Sequence, residues 1–340
     1  MNKRIKIIGS FFSIGFLSFL FLLSCCSKTR VSSNLFNQWM QPSDKIKVLS
    51  TVAMIDDIVG QIGQENILHM PLILGQIDPH SYEMVKGDDE KLRMATIVFY
   101  NGLGLEHGAS LSNHLLSHKN AIALGDVVAH LVPEEMIYID RTVDPHIWMD
   151  ISLWSLIIDP IVQELSRLDP ESAEFYKHNG ENLLESMQRM DKKIYNAMHK
   201  FPSFQRYLVT SHDAFNYFTR AYLSNPDEEY WQSRVNAPEG LAPDGQLSSS
   251  DIQCIVNFLL EKRIQTVFPE SSVNRDALNK IIHDCQKKGL KVHMANSPLY
   301  SDSMGGKDSG ASNYLDMMWH NTSAILSEWE KTKDLHAKCY

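Results

Sequence analysis

Residues 169–200 read DPESAEFYKHNGENLLESMQRMDKKIYNAMHK, and this stretch decides the architecture. Asp169 and Pro170 supply a helix start, because a carboxylate can accept from free N–H groups and proline suits the first helical position. Tyr176, Leu183, Met187, Met190, Ile194 and Met198 then recur at spacings of three, four and seven. That is one apolar stripe on a helix rich in charge elsewhere, and a methionine-containing stripe of this kind marks packing, not a cofactor pocket. At about 1.5 Å of rise per residue the helix would run about 45 Å, enough to brace two bodies of chain.

On either side the pattern changes. KIKVLSTVAM from Lys45, ILHMPLIL around Leu68, ATIVFY around Val98 and AIALGDVV around Leu124 are short apolar runs separated by longer amphipathic stretches. After the helix come RYLVTS ending at Ser211, IQTVFPESS ending at Ser272 and KVHMANSPLY ending at Tyr300. Short apolar strands alternating with helices imply βα units on a mostly parallel sheet. The expected fold is α/β, with two lobes of parallel-sheet βα units joined by one long rigid helix. The first lobe covers residues 45–168, the linker helix 169–200 and the second lobe 201–340. In open α/β sheets, ligands bind where strands end at their C-termini.

A chain of 340 residues with 44% hydrophobic content can build two ordinary cores. Its 32 basic residues stand against 41 acidic ones, a net charge of −9. No basic cluster lies outside the N-terminus, which argues against a nucleic-acid partner. The N-terminus itself is different in kind. Lys3, Arg4 and Lys6 precede an uncharged apolar run over 7–23, followed by Ser24 and Cys25. This order describes a secretory signal. The sequence Leu22, Leu23, Ser24, Cys25 is similar to a bacterial lipobox, which makes Cys25 the candidate lipidation site. An uncleaved anchor is the alternative, although the run is at the short end for a bilayer span. Either way the body is exported: residues 1–25 read as the signal, 26–44 as a polar tether, and the protein as periplasmic or lipid-anchored on the outer side of the cytoplasmic membrane. Of five cysteines, Cys254, Cys285 and Cys339 lie in the exported body, where one disulfide is expected and three pairings are open.

Fourteen histidines are too many to interpret singly, but three sit in distinctive contexts. Asp-Pro-His occurs at residues 78–80 and again at 144–146, each followed two positions later by an aromatic, Tyr82 and Trp148. Proline holds each histidine on a stiff segment. The preceding Asp78 or Asp144 can cap the next turn or accept from the non-ligating ring nitrogen and so set the tautomer. One copy alone reads as a helix cap with an incidental histidine; the pair favours ligands. His212 leaves the strand run RYLVTS directly, and Asp302 follows the last strand run.

Taken together, DPHSYE, FYNGLGLE, DPHIWMD, VTSHDAFNYF, FPESSVN and YSDSMGG with SNYLDMMWHN resemble the cluster A-I metal-binding solute-binding proteins of manganese, zinc and iron ABC importers. The resemblance covers roughly residues 45–330. It implies a metal site in the cleft between the lobes, with His80 and His146 from the first and His212 and Asp302 from the second. Glu270, in FPESS, falls beside the ligands or caps a helix. It also implies a cargo of one divalent transition metal ion (zinc, manganese or iron), a membrane permease of an ABC importer as partner, and a monomer without catalytic residues. Three imidazoles and a carboxylate suit zinc and accept manganese or iron. Manganese-specialised relatives tend to carry glutamate at the position of His212, and the His-rich loop of zinc-specialised relatives is missing from residues 107–145. The stretch 224–236 is longer than family usage. Because ligating imidazoles must be neutral, affinity is expected to fall as pH drops through about 6. Two other readings compete. A zinc-dependent hydrolase is disfavoured by four protein ligands that close the shell and by the lack of H-E-x-x-H and G-x-S-x-G motifs; a surface adhesin lipoprotein lacks any repeat or aromatic patch to support it.

Overall fold

The computed structural model describes residues 36–243 and 248–336, the side chains of 333–336 excepted. The signal segment 1–25 with Cys25, together with Cys26 and Cys339, lies outside the described residues. The described part of the expected tether opens with helix at 36–40 rather than with irregular chain.

Four parallel strands form the first sheet: β1 (Ile46–Ser50), β2 (Ile67–Pro71), β3 (Ile97–Tyr100) and β4 (Ala121–Ala123), in the order β2-β1-β3-β4. Every residue of β1 is buried, Lys47 and Ser50 included, as expected for a parallel strand covered on both faces. Two expected strands are shorter than their apolar runs. KIKVLSTVAM leaves the sheet at Ser50 because Ala53 opens helix α1 (Ala53–Gly63), whose buried Met54, Ile55, Ile58, Val59 and Ile62 follow helical spacing. AIALGDVV gives three strand residues before the chain turns helical at Leu124. Helices α2 (Asp88–Met94), α3 (Ala109–Ser117), α4 (Leu124–Leu131) and α5 (Ile158–Leu168) complete this lobe. An antiparallel hairpin, β5 (Tyr138–Ile139) with β6 (Thr142–Val143), departs from the parallel rule just before the second Asp-Pro-His.

The long helix, α6, spans Ala173–Met198 after a tight turn at Pro170–Ser172. Tyr176, Leu183, Met187, Ile194 and Met198 are buried along it, whereas Met190 is only half-buried. The Asp169 carboxylate accepts the Tyr176 hydroxyl at 2.8 Å, and hydrogen bonds from the Ser172 hydroxyl, the Tyr176 hydroxyl and the Ser172 and Glu171 backbone hold its pKa below the ordinary carboxylate value. Gly180 lets α5 approach, since a Cβ there would lie 2.9 Å from Val162 Cγ2. The helix packs on α1 and α5 of the first lobe and on α9 (Tyr314–His336) of the second. Lys193 Nζ also stands 3.4 Å above the Trp319 ring.

Strands in the second lobe are much shorter than the apolar runs that announce them. β7 (Leu208–Val209) pairs in parallel with β8 (Val235–Asn236), and β9 (Thr266–Val267) with β10 (His293–Met294). The Phe268 N–H donates to the Val209 carbonyl at 2.8 Å and joins the two pairs. Single parallel bridges, His212 with Glu239 and Glu270 with Leu299, continue the pairing past the strand ends. Helices α7 (Ser249–Lys262) and α8 (Asp276–Lys287) cover this sheet through Ile252, Ile255, Val256, Leu259, Leu278, Ile281 and Cys285. Cys254 is exposed and Cys285 is buried, and both are free thiols, so the disulfide between these two is not made.

The packing role of the long helix gives a direct check. Met187→Ala empties a buried position and should lower unfolding free energy by about 2–5 kcal/mol, whereas Met190→Ala at the half-buried position should cost about 1 kcal/mol or less. Denaturant melts of both variants would read the difference; equal effects would contradict the stripe.

Candidate metal centre

Four chain segments that leave strands or tight turns deliver the expected residues to one point. His80 lies on the loop after β2 and His146 on the segment after the hairpin, while His212 follows β7 and Asp302 follows β10. Each of the four is at most 3% exposed. One ligand atom from each falls within 4.8 Å of all the others.

The spacing fits a small cation. Donors arranged tetrahedrally around an ion at about 2.0–2.1 Å sit about 3.3 Å from one another. His80 Nε2 faces His146 Nε2 at 3.1 Å, His146 Nε2 lies 3.4 Å from Asp302 Oδ1, and His212 Nε2 lies 3.2 Å from Asp302 Oδ2. His80 Nε2 to Asp302 Oδ1 is wider, at 4.0 Å. His212 Nε2 and Asp302 Oδ1 are buried and lack an aligned hydrogen-bond partner. A cation would satisfy both, and it needs no donor hydrogen to do so.

Supporting carboxylates orient two of the three rings. Asp144 Oδ1 sits 2.7 Å from His146 Nδ1 and also accepts the His146 backbone N–H at 2.9 Å. Glu270 Oε2 stands 2.6 Å from His212 Nδ1, and its Oε1 accepts the backbone N–H groups of Ser211 and His212 at 2.8 and 2.9 Å. These contacts keep the Nε2 atoms of both rings directed inward. The first Asp-Pro-His behaves differently, and of the two roles open to Asp78 it takes the cap of the next turn. Its oxygens take the His80 backbone N–H at 2.8 Å and the Ser81 hydroxyl at 2.7 Å, so it caps the turn and leaves the His80 ring alone.

Electrostatics divide the three imidazoles. Burial lowers the His80 pKa to about 3; Asp302 opposes this, and repulsion from His146, His212 and His107 adds to it. Burial would lower His146 as well, but Asp144 and then Asp302 outweigh it and raise that ring to about 9. His212 follows the same logic: burial opposes, Glu270 and Asp302 prevail, and its pKa is held well above the ordinary histidine range. Burial pushes Asp302 up, while His212 and His146 pull it well below the usual carboxylate range. The carboxylates thus favour the protonated form of His146 and His212, while burial favours the neutral form of His80.

Several contributing residues escaped the sequence reading although they lie inside the quoted motifs. Asn216 donates to Asp144 Oδ2 at 3.0 Å from the opposite lobe, and the Tyr217 hydroxyl donates to the Asp144 carbonyl at 3.1 Å. Trp148 Nε1 donates to the Ser301 carbonyl at 2.7 Å, fixing the residue before Asp302. Glu106 ties the ends of β1 and β3, accepting from the Thr51 hydroxyl at 2.7 Å and from the Asn101 and Gly102 N–H groups at 2.8 and 3.0 Å. Only the resemblance of whole motifs, not any single spacing, could have marked them.

Comparison with known proteins gives the same frame. Metal-binding protein YtgA of Chlamydia trachomatis serovar D is 38% identical over 312 residues, covering 91% of either chain. The manganese-binding lipoprotein MntA of Bacillus subtilis strain 168 is 31% identical, covering 83% of this chain and 89% of its own. Among solved structures, Fe(III)-bound YtgA from Chlamydia trachomatis superposes with a TM-score of 0.79 at 37% identity, over 84% of this chain and 98% of that one. The periplasmic zinc-binding protein TroA from Treponema pallidum does so at 0.76 and 27% identity, over 84% and 99%. Both neighbours have the two-lobe architecture with a long connecting helix. A match over residues 48–328 completes the assignment: the chain belongs to the ZnuA family, described as zinc-uptake complex component A, periplasmic.

Proposed function

We propose that this protein is an extracytoplasmic solute-binding protein that captures one divalent transition metal ion and delivers it to the membrane permease of an ABC importer. His80, His146, His212 and Asp302 are its ligands, with Asp144 and Glu270 orienting two of them. The observation that carries this reading is the convergence of four buried donors from both lobes within 4.8 Å. The family supports transport of an ion over catalysis. Four protein donors leave no open coordination position for a nucleophilic water, so the hydrolase reading finds no support here. The relatives are named for manganese, zinc and iron, and the mixed nitrogen and oxygen donor set suits all three. Export through segment 1–25, anchoring at Cys25 and a monomeric state belong to the same proposal. Among the described residues, no helix is long and apolar enough to cross a membrane.

Metal binding has to displace a proton from His146 and another from His212, because the cation takes the Nε2 atom of each while Nδ1 stays on its carboxylate. This moves the pH window upward from the value near 6 read from sequence. His146 holds its proton up to about 9, so affinity should keep rising with pH through neutrality.

Zinc or cobalt titration of the wild type should give one tightly bound ion per chain, and Asp302→Ala or His146→Ala should weaken binding by more than about 100-fold. Retained stoichiometric binding in either variant would contradict the ligand set. Glu270→Ala, which removes an orienting contact, should cost about 10–100-fold; an unchanged affinity would show that His212 needs no support.

Loading in weakly buffered solution near pH 7 should release about two protons per ion, and release of none would contradict ligation by His146 and His212. For the metal-free protein the linkage runs the other way. The raised His146 pKa contributes stability that is full below the unfolded value of about 6.5 and is lost as pH rises through about 9. Its melting temperature should fall across that interval, and a rise would reverse the assignment.

A further inference from the structure

The carboxylate behind His146 is held from both lobes. Asp144 is wholly buried, and its two oxygens face different partners. Oδ1 sits 2.7 Å from His146 Nδ1 and accepts the His146 backbone N–H at 2.9 Å. Oδ2 accepts an N–H of Asn216 at 3.0 Å, from 72 residues further along the chain. Asn216 is 3% exposed, so bulk water hardly competes for that contact. Its amide nitrogen also faces Asp213, at 3.0 Å from Oδ1 and 3.3 Å from the carbonyl oxygen. One neutral amide with two N–H groups thus spans a carboxylate of each lobe. An aspartate in its place would offer no donor, and a lysine would add a charge.

The segment that carries Asn216 is tightly tied. Asn216 stands four residues after His212 in VTSHDAFNYF. Between them, the His212 carbonyl accepts the Ala214 N–H at 3.0 Å and the Thr210 hydroxyl at 2.9 Å, and the Asp213 N–H donates to the Gly240 carbonyl at 3.1 Å. Asn216 then opens a short helix, Asn216–Phe218. Its neighbour Tyr217 donates to the Asp144 carbonyl at 3.1 Å and accepts the Ile137 N–H at 3.1 Å. Side chain and main chain of Asp144 are therefore gripped by adjacent residues of the segment that also delivers His212.

Building on the proposed metal capture, we propose that Asn216 is a positioning residue for the ion: by holding Asp144 Oδ2 from the opposite lobe, it aims the His146 ring and couples that ring to the segment bearing His212. The amide touches neither the ion nor a ligand ring, and acts through Asp144 alone. Without it Asp144 keeps the His146 backbone N–H on Oδ1 but is free to turn its other oxygen, so the ring loses part of its alignment. The loss belongs at the lower end of the 10–100-fold range typical of groups that orient a metal ligand, about tenfold.

Cobalt(II) titrations read by visible absorption test this on the wild type, Asn216→Ala, Asn216→Asp, Asp144→Ala and the double variant Asp144→Ala/Asn216→Ala. Asn216→Ala should weaken binding about tenfold and shift the ligand-field bands of the loaded protein. A purely structural role would lower the melting temperature and leave those bands in place, which would overturn the proposal. In the Asp144→Ala background, removing Asn216 should change affinity by about twofold or less, because the two groups act as one unit. A further tenfold loss there would overturn it, by showing that Asn216 acts elsewhere. Asn216→Asp keeps the shape of the side chain without its donors and carries the same reading should the alanine variant not fold; wild-type affinity in this variant would also overturn the role. If the wild type takes up no cobalt, metal capture itself is overturned and this role with it.

Discussion

One carboxylate among three imidazoles, all excluded from water, is the constraint on which the structure turns. Asp302 is 3% exposed and within 4.0 Å of ring nitrogens from three separate segments. Burying such a group is costly unless an opposite charge comes with it. Protons on His146 and His212, favoured by the neighbouring carboxylates, can supply that charge, and on the proposed function a bound cation supplies it in their place.

Because the four converging residues come from both lobes, whatever fixes the lobes also fixes the site. The Tyr314 hydroxyl donates to the Trp148 carbonyl at 2.7 Å, and Trp148 in turn holds the Ser301 carbonyl beside Asp302. The Tyr314 N–H donates to Asp57 on α1 at 3.0 Å, so the first residue of α9 is pinned at both ends to the first lobe. The long helix α6 packs along helices of both lobes and braces them. Burial and polar pairing near the cleft hold the four side chains together.

Much of this was legible in sequence because it rests on periodicity and on repeated local grammar. The stripe from Tyr176 to Met198 marked the linker helix, and paired Asp-Pro-His motifs marked His80 and His146. What escaped was set by tertiary contacts. The second-lobe strands are only two residues long because bridges and loops, not regular ladders, carry the chain to His212 and Glu270. The twin motifs also diverge: Asp144 reaches its ring and Asp78 does not, although both stand two residues before a histidine. Asn216, Trp148 and Glu106 have ordinary side chains that reach Asp144, Ser301 and Thr51, each more than fifty residues away, and no local spacing predicts those contacts. Nor could sequence set the pH window, since the carboxylates that hold His146 and His212 charged are brought there only by folding.

Donor chemistry tests the central claim most directly. X-ray absorption of the zinc-loaded protein should show four nitrogen and oxygen donors at about 2.0–2.1 Å, three of them with the outer-shell scattering of imidazole. A shell containing sulfur, fewer than three imidazoles, or mostly water would contradict the cage formed by His80, His146, His212 and Asp302.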